Sequence, residues 1–138
     1  MLRIDSEAWR VMVEHGRACF PKECCGIMLG TEEDGVRRCT IAIACRNAYE
    51  GEQKDRFQLD PKDQLAADRK ARELGISVLG FFHSHPDEDA YFSATDLKNS
   101  WPWYSNVVMS IRSGEFAGAK CFIANDDQTA ADPEDLHY

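Results

Sequence analysis

The stretch ISVLGFFHSHPDEDAYFSATD, residues 76–96, passes from a short apolar run into two histidines, a proline, three acidic residues and a Ser-x-x-Asp pattern. ISVLGFF is short, apolar and rich in aromatic and β-branched residues, which predicts a fully buried strand over 76–82. Alternate side chains of a strand leave the same face. If the strand continues through His83-Ser84-His85, both imidazoles project together and Ser84 points away. Pro86 has no N–H to give a ladder and ends the strand. Ser93-Ala94-Thr95-Asp96 then opens a helix by the [ST]-x-x-[DE] pattern. Residues three apart are neighbours on a first helical turn, so Ser93 and Asp96 can both face the strand end where the histidines emerge. Two imidazoles and a carboxylate make three zinc ligands, and a catalytic zinc keeps its fourth position for water, whose pKa falls to about 7.

Each residue also has a plain structural explanation. Ser93 can be only an N-cap, and Asp96 only a first-turn acid favoured by the helix dipole. His15 falls on an apolar helical stripe and His137 near the last residue, so both read as core or surface histidines. The specific signal is the combination: His-x-His-Pro, seven residues from Pro86 through Phe92, then Ser-x-x-Asp.

Outward from this stretch, residues 6–19 predict a helix with Ser6 as N-cap and Ala8, Val11, Met12, His15 and Ala18 at helical spacing; Pro21 requires it to end earlier. CCGIMLG, residues 24–30, and VRRCTIAIAC, residues 36–45, read as strands joined by a TEEDG turn. Residues 46–55 are loop-like, with a brief strand over 56–59. A helix follows, with Asp60 as cap, Pro61 at its first position and Gly75 as its stop. Ala67, Ala71 and Leu74 form a face able to lie close on a sheet. After a helix from Ser93 come strands near 106–111 and 117–124, and from Asn125 the chain is acidic and expected to fray. This alternation predicts one α/β or α+β domain with a mixed sheet.

The chain has 138 residues, a net charge of −8 and sixteen scattered Lys and Arg. Without a basic stripe there is no electrostatic footprint for nucleic acid. No apolar run approaches the roughly 20 residues of a membrane-spanning helix. MLRIDSEAWR is charged and has no apolar h-region, so the expectation is a soluble cytoplasmic protein. The six cysteines contain no C-x-x-C and read as reduced thiols, several of them core packing.

His83-Ser84-His85-Pro86 with Ser93 and Asp96 resembles the signature of the JAMM (MPN+) metallopeptidase family. Glu23-Cys24-Cys25-Gly26 followed by Ile27-Met28-Leu29-Gly30 is similar to the family's upstream E-x-C-G segment. Arg56-Phe57 before the Asp60-Pro61 helix, and Trp101-Pro102-Trp103-Tyr104 before NVVMSI, extend the likeness over residues 5–124. The small stand-alone prokaryotic members are the most similar. The resemblance implies a single MPN/JAMM domain over residues 1–124, its mixed and mostly antiparallel sheet flanked by helices, with residues 125–138 an acidic tail.

The resemblance further implies that His83, His85 and Asp96 bind one zinc with a water. Glu23 would hold that water and serve as general base, and Ser93 would stabilise the oxyanion. Spacing does not select Glu23, which lies sixty residues before His83, whereas Asp87, Glu88 and Asp89 are nearer. Those three read as a solvated loop, and Cys24 and Cys25 as structural rather than thiolate ligands. Prokaryotic relatives of this size cleave after the Gly-Gly end of ubiquitin-like sulfur carriers, releasing cysteine or a C-terminal extension, so a zinc-dependent peptidase or isopeptidase acting on a ubiquitin-fold or sulfur-carrier substrate, in cysteine biosynthesis, is implied. The loop 87–92 and the segment 101–104 are candidate walls for the tail. The alternative is a non-catalytic MPN scaffold, although such members lack ligands that are all present here. A zinc nucleobase deaminase would need H-x-E and P-C-x-x-C, and neither string occurs.

Overall fold

The computed structural model describes residues 1–138. Along the chain come β1 (Leu2–Ile4), α1 (Ser6–Cys19), β2 (Cys25–Glu33), β3 (Val36–Cys45), α2 (Pro61–Leu74), β4 (Ser77–Pro86), α3 (Ala94–Asn99), β5 (Ser105–Arg112), β6 (Glu115–Ala124), β7 (Ala131–Glu134) and β8 (Leu136–His137). The strands make one sheet in the order β7-β6-β5-β4-β2-β3-β1-β8. Four of its seven pairings are antiparallel, and β4 lies between antiparallel β2 and parallel β5. The predicted mixed sheet with flanking helices is therefore what forms. No helix is long and apolar enough to cross a membrane.

Local chemistry explains most boundaries. Asp60 accepts a hydrogen bond from Lys62 N at 2.9 Å, Pro61 opens α2, and Gly75 closes it at φ 69°. The β2–β3 turn narrows to Asp34-Gly35, with φ of 51° and 77°, so β2 runs on through Glu33. Two positive φ values in succession are what a two-residue hairpin with the sheet's twist requires. At α1 the N-cap is Asp5, one residue earlier than predicted; its carboxylate caps nothing and pairs with Arg38 Nε at 2.9 Å. Residues 56–59 form no strand. Their backbone is held by the Asn47 side chain and by Ala48 N donating to Gln58 O at 2.8 Å.

The two faces carry separate cores. On one, Met12 of α1 packs with Met28, Phe82, Val107, Met109 and Ile111. On the other, Ala67 and Ala71 of α2 lie on Cys25, Ile27 and Leu29. Burying each large apolar side chain contributes about 1.5–3 kcal/mol. Leu74 shares the alanine stripe but is the last residue of its helix, and it stays 53% exposed.

The tail does not fray. β7 pairs with β6, and β8 pairs with β1, although only Asp135 separates β7 from β8. One short segment thus joins both ends of the strand order, and the sheet curls around α1 until its edges meet. Tyr138 stacks on Trp9 with centroids 4.1 Å apart, and Leu2 N donates to Asp135 O at 2.8 Å. Glu134 accepts from Ser105 Oγ at 2.7 Å and lies 3.3 Å from the Met1 amine. Acidic composition suggested solvation, but backbone pairing needs no apolar pattern, and Leu136 and Tyr138 supply the packing. β1 went unpredicted for the same reason, since three residues carry no readable period.

Truncation after Ala130 should leave β6 and β1 as open edges. We expect the melting temperature to fall by more than about 10 °C, at roughly 4 °C per kcal/mol for this size, with concentration-dependent association. An unchanged melting curve would show that residues 131–138 do not hold the sheet.

Candidate metal centre

Strand alternation delivers the histidines. His83 and His85 leave β4 on one side and are 3% and 4% exposed. Ser84 points to the other side, where its Oγ accepts from Cys24 N at 2.8 Å. The register of β2 against β4 sets Cys25 opposite His83, and Ser84 N donates to Cys24 O at 3.2 Å. Glu23 is therefore carried to the level of His85. The carboxylate that spacing could not choose is selected by strand pairing.

Asp96 arrives from α3. Ser93 Oγ accepts from Asp96 N at 3.0 Å, and Asp96 Oδ2 accepts from Ser93 N at 3.0 Å. This reciprocal capping box holds the carboxylate beside the strand end. Asp96 Oδ2 lies 3.1 Å from His83 Nε2 and 3.2 Å from His85 Nε2, and the two nitrogens are 3.3 Å apart. The donor atoms form a nearly equilateral triangle. Ligands of a tetrahedral zinc, at about 2.0–2.1 Å from it, stand roughly 3.3 Å from one another. A Glu23 carboxylate oxygen lies within 4.8 Å of the histidine donors.

The surroundings orient these groups. His85 Nδ1 is 3.1 Å from Asp89 O, a contact that holds the proton on Nδ1 and turns the Nε2 lone pair to the cluster. Phe57 stacks on His83 with centroids 4.6 Å apart, and Tyr91 meets His85 edge-on at 4.8 Å. Burial opposes the charge on Asp96, but the imidazoles, His83 foremost, more than offset it and hold its pKa well below the usual range. Burial lowers His85, yet the Asp96 contact outweighs it and leaves the ring raised. Glu23 has no such partner: burial first, then the charges of Asp96, Asp55 and Glu88, push it up to about 9. Its Oε1 is buried without a hydrogen bond. An orphaned carboxylate oxygen is costly unless a cation or a polarised water faces it. The donor set, the triangle and this orphan together fit a divalent metal with water.

The acidic loop is structural. Asp87 Oδ1 accepts from Ser113 N at 2.8 Å, Asp89 pairs with Arg112, and the Asp89 carbonyl aligns His85. Cys24 and Cys25 lie in the cores on opposite faces of β2; burial pushes the Cys24 thiol up to about 12 and Cys25 higher still. Neither serves the cluster. His15 bonds the Cys45 carbonyl at 2.9 Å and is structural.

One residue escaped the sequence reading. Asn47 Nδ2 donates to Glu23 O at 3.3 Å and Arg56 O at 3.0 Å, while its Oδ1 accepts from Tyr49 N and Gln58 N at 3.0 and 3.1 Å. It ties the backbone of Glu23 to the segment whose Phe57 stacks on His83. In sequence it is one more Asn in a polar loop.

A cleft of about 560 Å³ opens beside His83 and Asp96. Phe92 and Trp101 line it, as the wall segments predict, together with Tyr49, Phe57 and Phe81. Trp103 does not; its Nε1 donates to Asp126 at 2.9 Å.

A family model described as prokaryotic homologs of the JAB domain matches residues 5–132. The chain belongs to this family. Among JAB-domain relatives, the desampylase of Haloferax volcanii is 33% identical over 91 residues, 65% of this chain and 63% of its own length. The CysO-cysteine peptidase of Mycobacterium tuberculosis is 33% identical over 98 residues, 71% of this chain and 64% of that one. The match thus spans less than two thirds of either relative. Protein DSY2949 of Desulfitobacterium hafniense superposes with a TM-score of 0.85 at 28% identity, covering 99% of this chain and 91% of that one. A Salinibacter ruber protein gives a TM-score of 0.75 at 31% identity, covering 98% and 90%.

Purified protein is expected to hold about one zinc per chain. His83→Ala, His85→Ala and Asp96→Ala should each weaken retention by at least about tenfold, read by chelator competition. Glu23→Gln should keep its zinc. Full retention in all three ligand variants would show that the triangle is not the metal site.

Proposed function

We propose that this JAB-domain chain is a zinc-dependent peptidase that hydrolyses the amide after the C-terminal Gly-Gly of a ubiquitin-like or sulfur-carrier protein, releasing cysteine or a short extension. The observation that carries this reading is the buried Glu23 carboxylate, its Oε1 without a hydrogen bond, close to the His83–His85 pair beside an open cleft. Zinc held by those three residues would polarise the scissile carbonyl and lower the pKa of water to about 7. Glu23 takes a proton from the attacking water and passes it to the leaving amine. Its pKa, up to about 9 without a cation, comes down when positive charge sits at the cluster. A carboxyl with a pKa near the working pH both accepts and donates a proton.

Ser93 can serve twice. Its Oγ accepts from Asp96 N, which leaves the hydroxyl proton free to donate where negative charge develops. The aromatic lining of the cleft suits an extended tail of glycines, which bring no side chain to fit between the rings. The named activities of the desampylase and the CysO-cysteine peptidase support the same substrate class. The scaffold alternative expects a missing ligand, and none is missing.

Removing the base without changing shape, in Glu23→Gln, should lower turnover roughly 100-fold. Ser93→Ala should cost about 1 kcal/mol of stability through the lost cap and, if the hydroxyl also donates, lower turnover roughly 100-fold. Ser93→Thr should restore both; a melting shift with turnover intact would leave Ser93 as a cap only. The substrate class is tested by a mass-spectrometric time course on a ubiquitin-like carrier ending Gly-Gly-Cys, its Gly-Ala-Cys variant and the isolated tail peptide. The intact carrier should be cleaved fastest. Equal rates for all three would remove both the carrier and the glycines from the assignment.

A further inference from the structure

We propose that Arg56 binds the α-carboxylate of the leaving residue, so that the enzyme prefers a single C-terminal amino acid over a longer extension or an isopeptide-linked lysine. This rests on the peptidase reading above and decides which leaving group that peptidase takes.

Arg56 is the one Lys or Arg among the residues lining the cleft beside His83 and Asp96. Its guanidinium is exposed and enters no ion pair, whereas nearby Arg46 lies 3.8 Å from Asp60. The backbone on which it stands is fixed. The Arg56 carbonyl accepts from Asn47 Nδ2 at 3.0 Å, and the next residue, Phe57, stacks on the ligand His83. Arg56 is thus anchored one residue from a ring that touches the metal cluster, with its charged end unspent.

The rest of the neighbourhood is acidic. Asp55 and Asp96 line the same cleft, and the charges of Asp96, Asp55 and Glu88 all bear on Glu23. An anionic leaving group entering this field is repelled unless one cation receives it. In a C-terminal residue the carboxylate is attached to the carbon that bears the scissile nitrogen, so it necessarily comes close to the centre. An isopeptide places a four-carbon lysine stem at that point and brings no such charge. Guanidinium is the side chain best shaped for the task, because its planar fork meets a carboxylate with two parallel hydrogen bonds.

The test uses the zinc-loaded full chain and two substrates differing in one group: a ubiquitin-like carrier ending Gly-Gly-Cys with a free carboxylate, and the same carrier ending in the carboxamide. Wild type should favour the carboxylate about tenfold or more in kcat/KM, chiefly through KM, the size of a charge-assisted contact. Arg56→Ala should lose that preference by slowing on the carboxylate alone, and Arg56→Lys should recover part of it. Zinc content and melting temperature of Arg56→Ala should match wild type. Equal wild-type rates on the two substrates would overturn the proposal without recourse to any variant. An equal loss on both in Arg56→Ala would overturn it too, assigning the guanidinium to the carrier's body. If wild type cleaved neither, the peptidase reading itself would fall, a result distinct from the other two.

Discussion

The register of β2 against β4 is the constraint on which the centre depends. Ser84 Oγ accepts from Cys24 N, and Ser84 N donates to Cys24 O, so the two strands are pinned where Glu23 must meet His85. A one-residue slip in a strand turns every side chain to the opposite face. Such a slip would send Ser84 to the cluster and both histidines into the α1 core. The polar residue between the histidines is thus the lock that keeps the histidines in place.

That lock works because the strands approach closely. A Cβ on Gly26 would stand 2.1 Å from the Phe82 ring, and one on Gly80 would stand 1.8 Å from the Ser105 carbonyl oxygen. Gly26 lies in β2 against β4, and Gly80 lies within β4, the strand that carries both histidines. Small residues inside and the returning C-terminal segment outside draw the curled sheet tight, and the histidine pair inherits its rigidity. Loops supply the remaining parts: the capping box brings Asp96, the Asp89 carbonyl turns His85, and Asn47 couples Glu23 to Phe57.

The electrostatics follow from this convergence. Asp96 lies against both imidazoles and stays ionised, while Glu23 is buried with only carboxylates for charged neighbours and rises. Two carboxyl groups beside the same histidine pair are thereby pushed in opposite directions. Pairs separated in this way by their environments are the usual basis for dividing acid–base work.

Much of the fold was legible because its signals are local. Asp60-Pro61 and Gly75 mark a helix from end to end, Ser93 and Asp96 make their capping box within one turn, and alternation through His83-Ser84-His85 puts two rings on one face. These depend on neighbours in sequence, and the sequence by itself determined them. Resemblance to a family named Glu23, but no spacing in this chain points to it. Only the tertiary structure decided that Glu23 lies beside His85, that Asn47 joins two loops, and that an acidic C-terminus closes the sheet as β7 and β8. Each of these rests on hydrogen bonds between residues far apart in sequence, and such bonds leave no period or motif in the sequence, since a backbone N–H or C=O pairs alike whatever side chain stands above it.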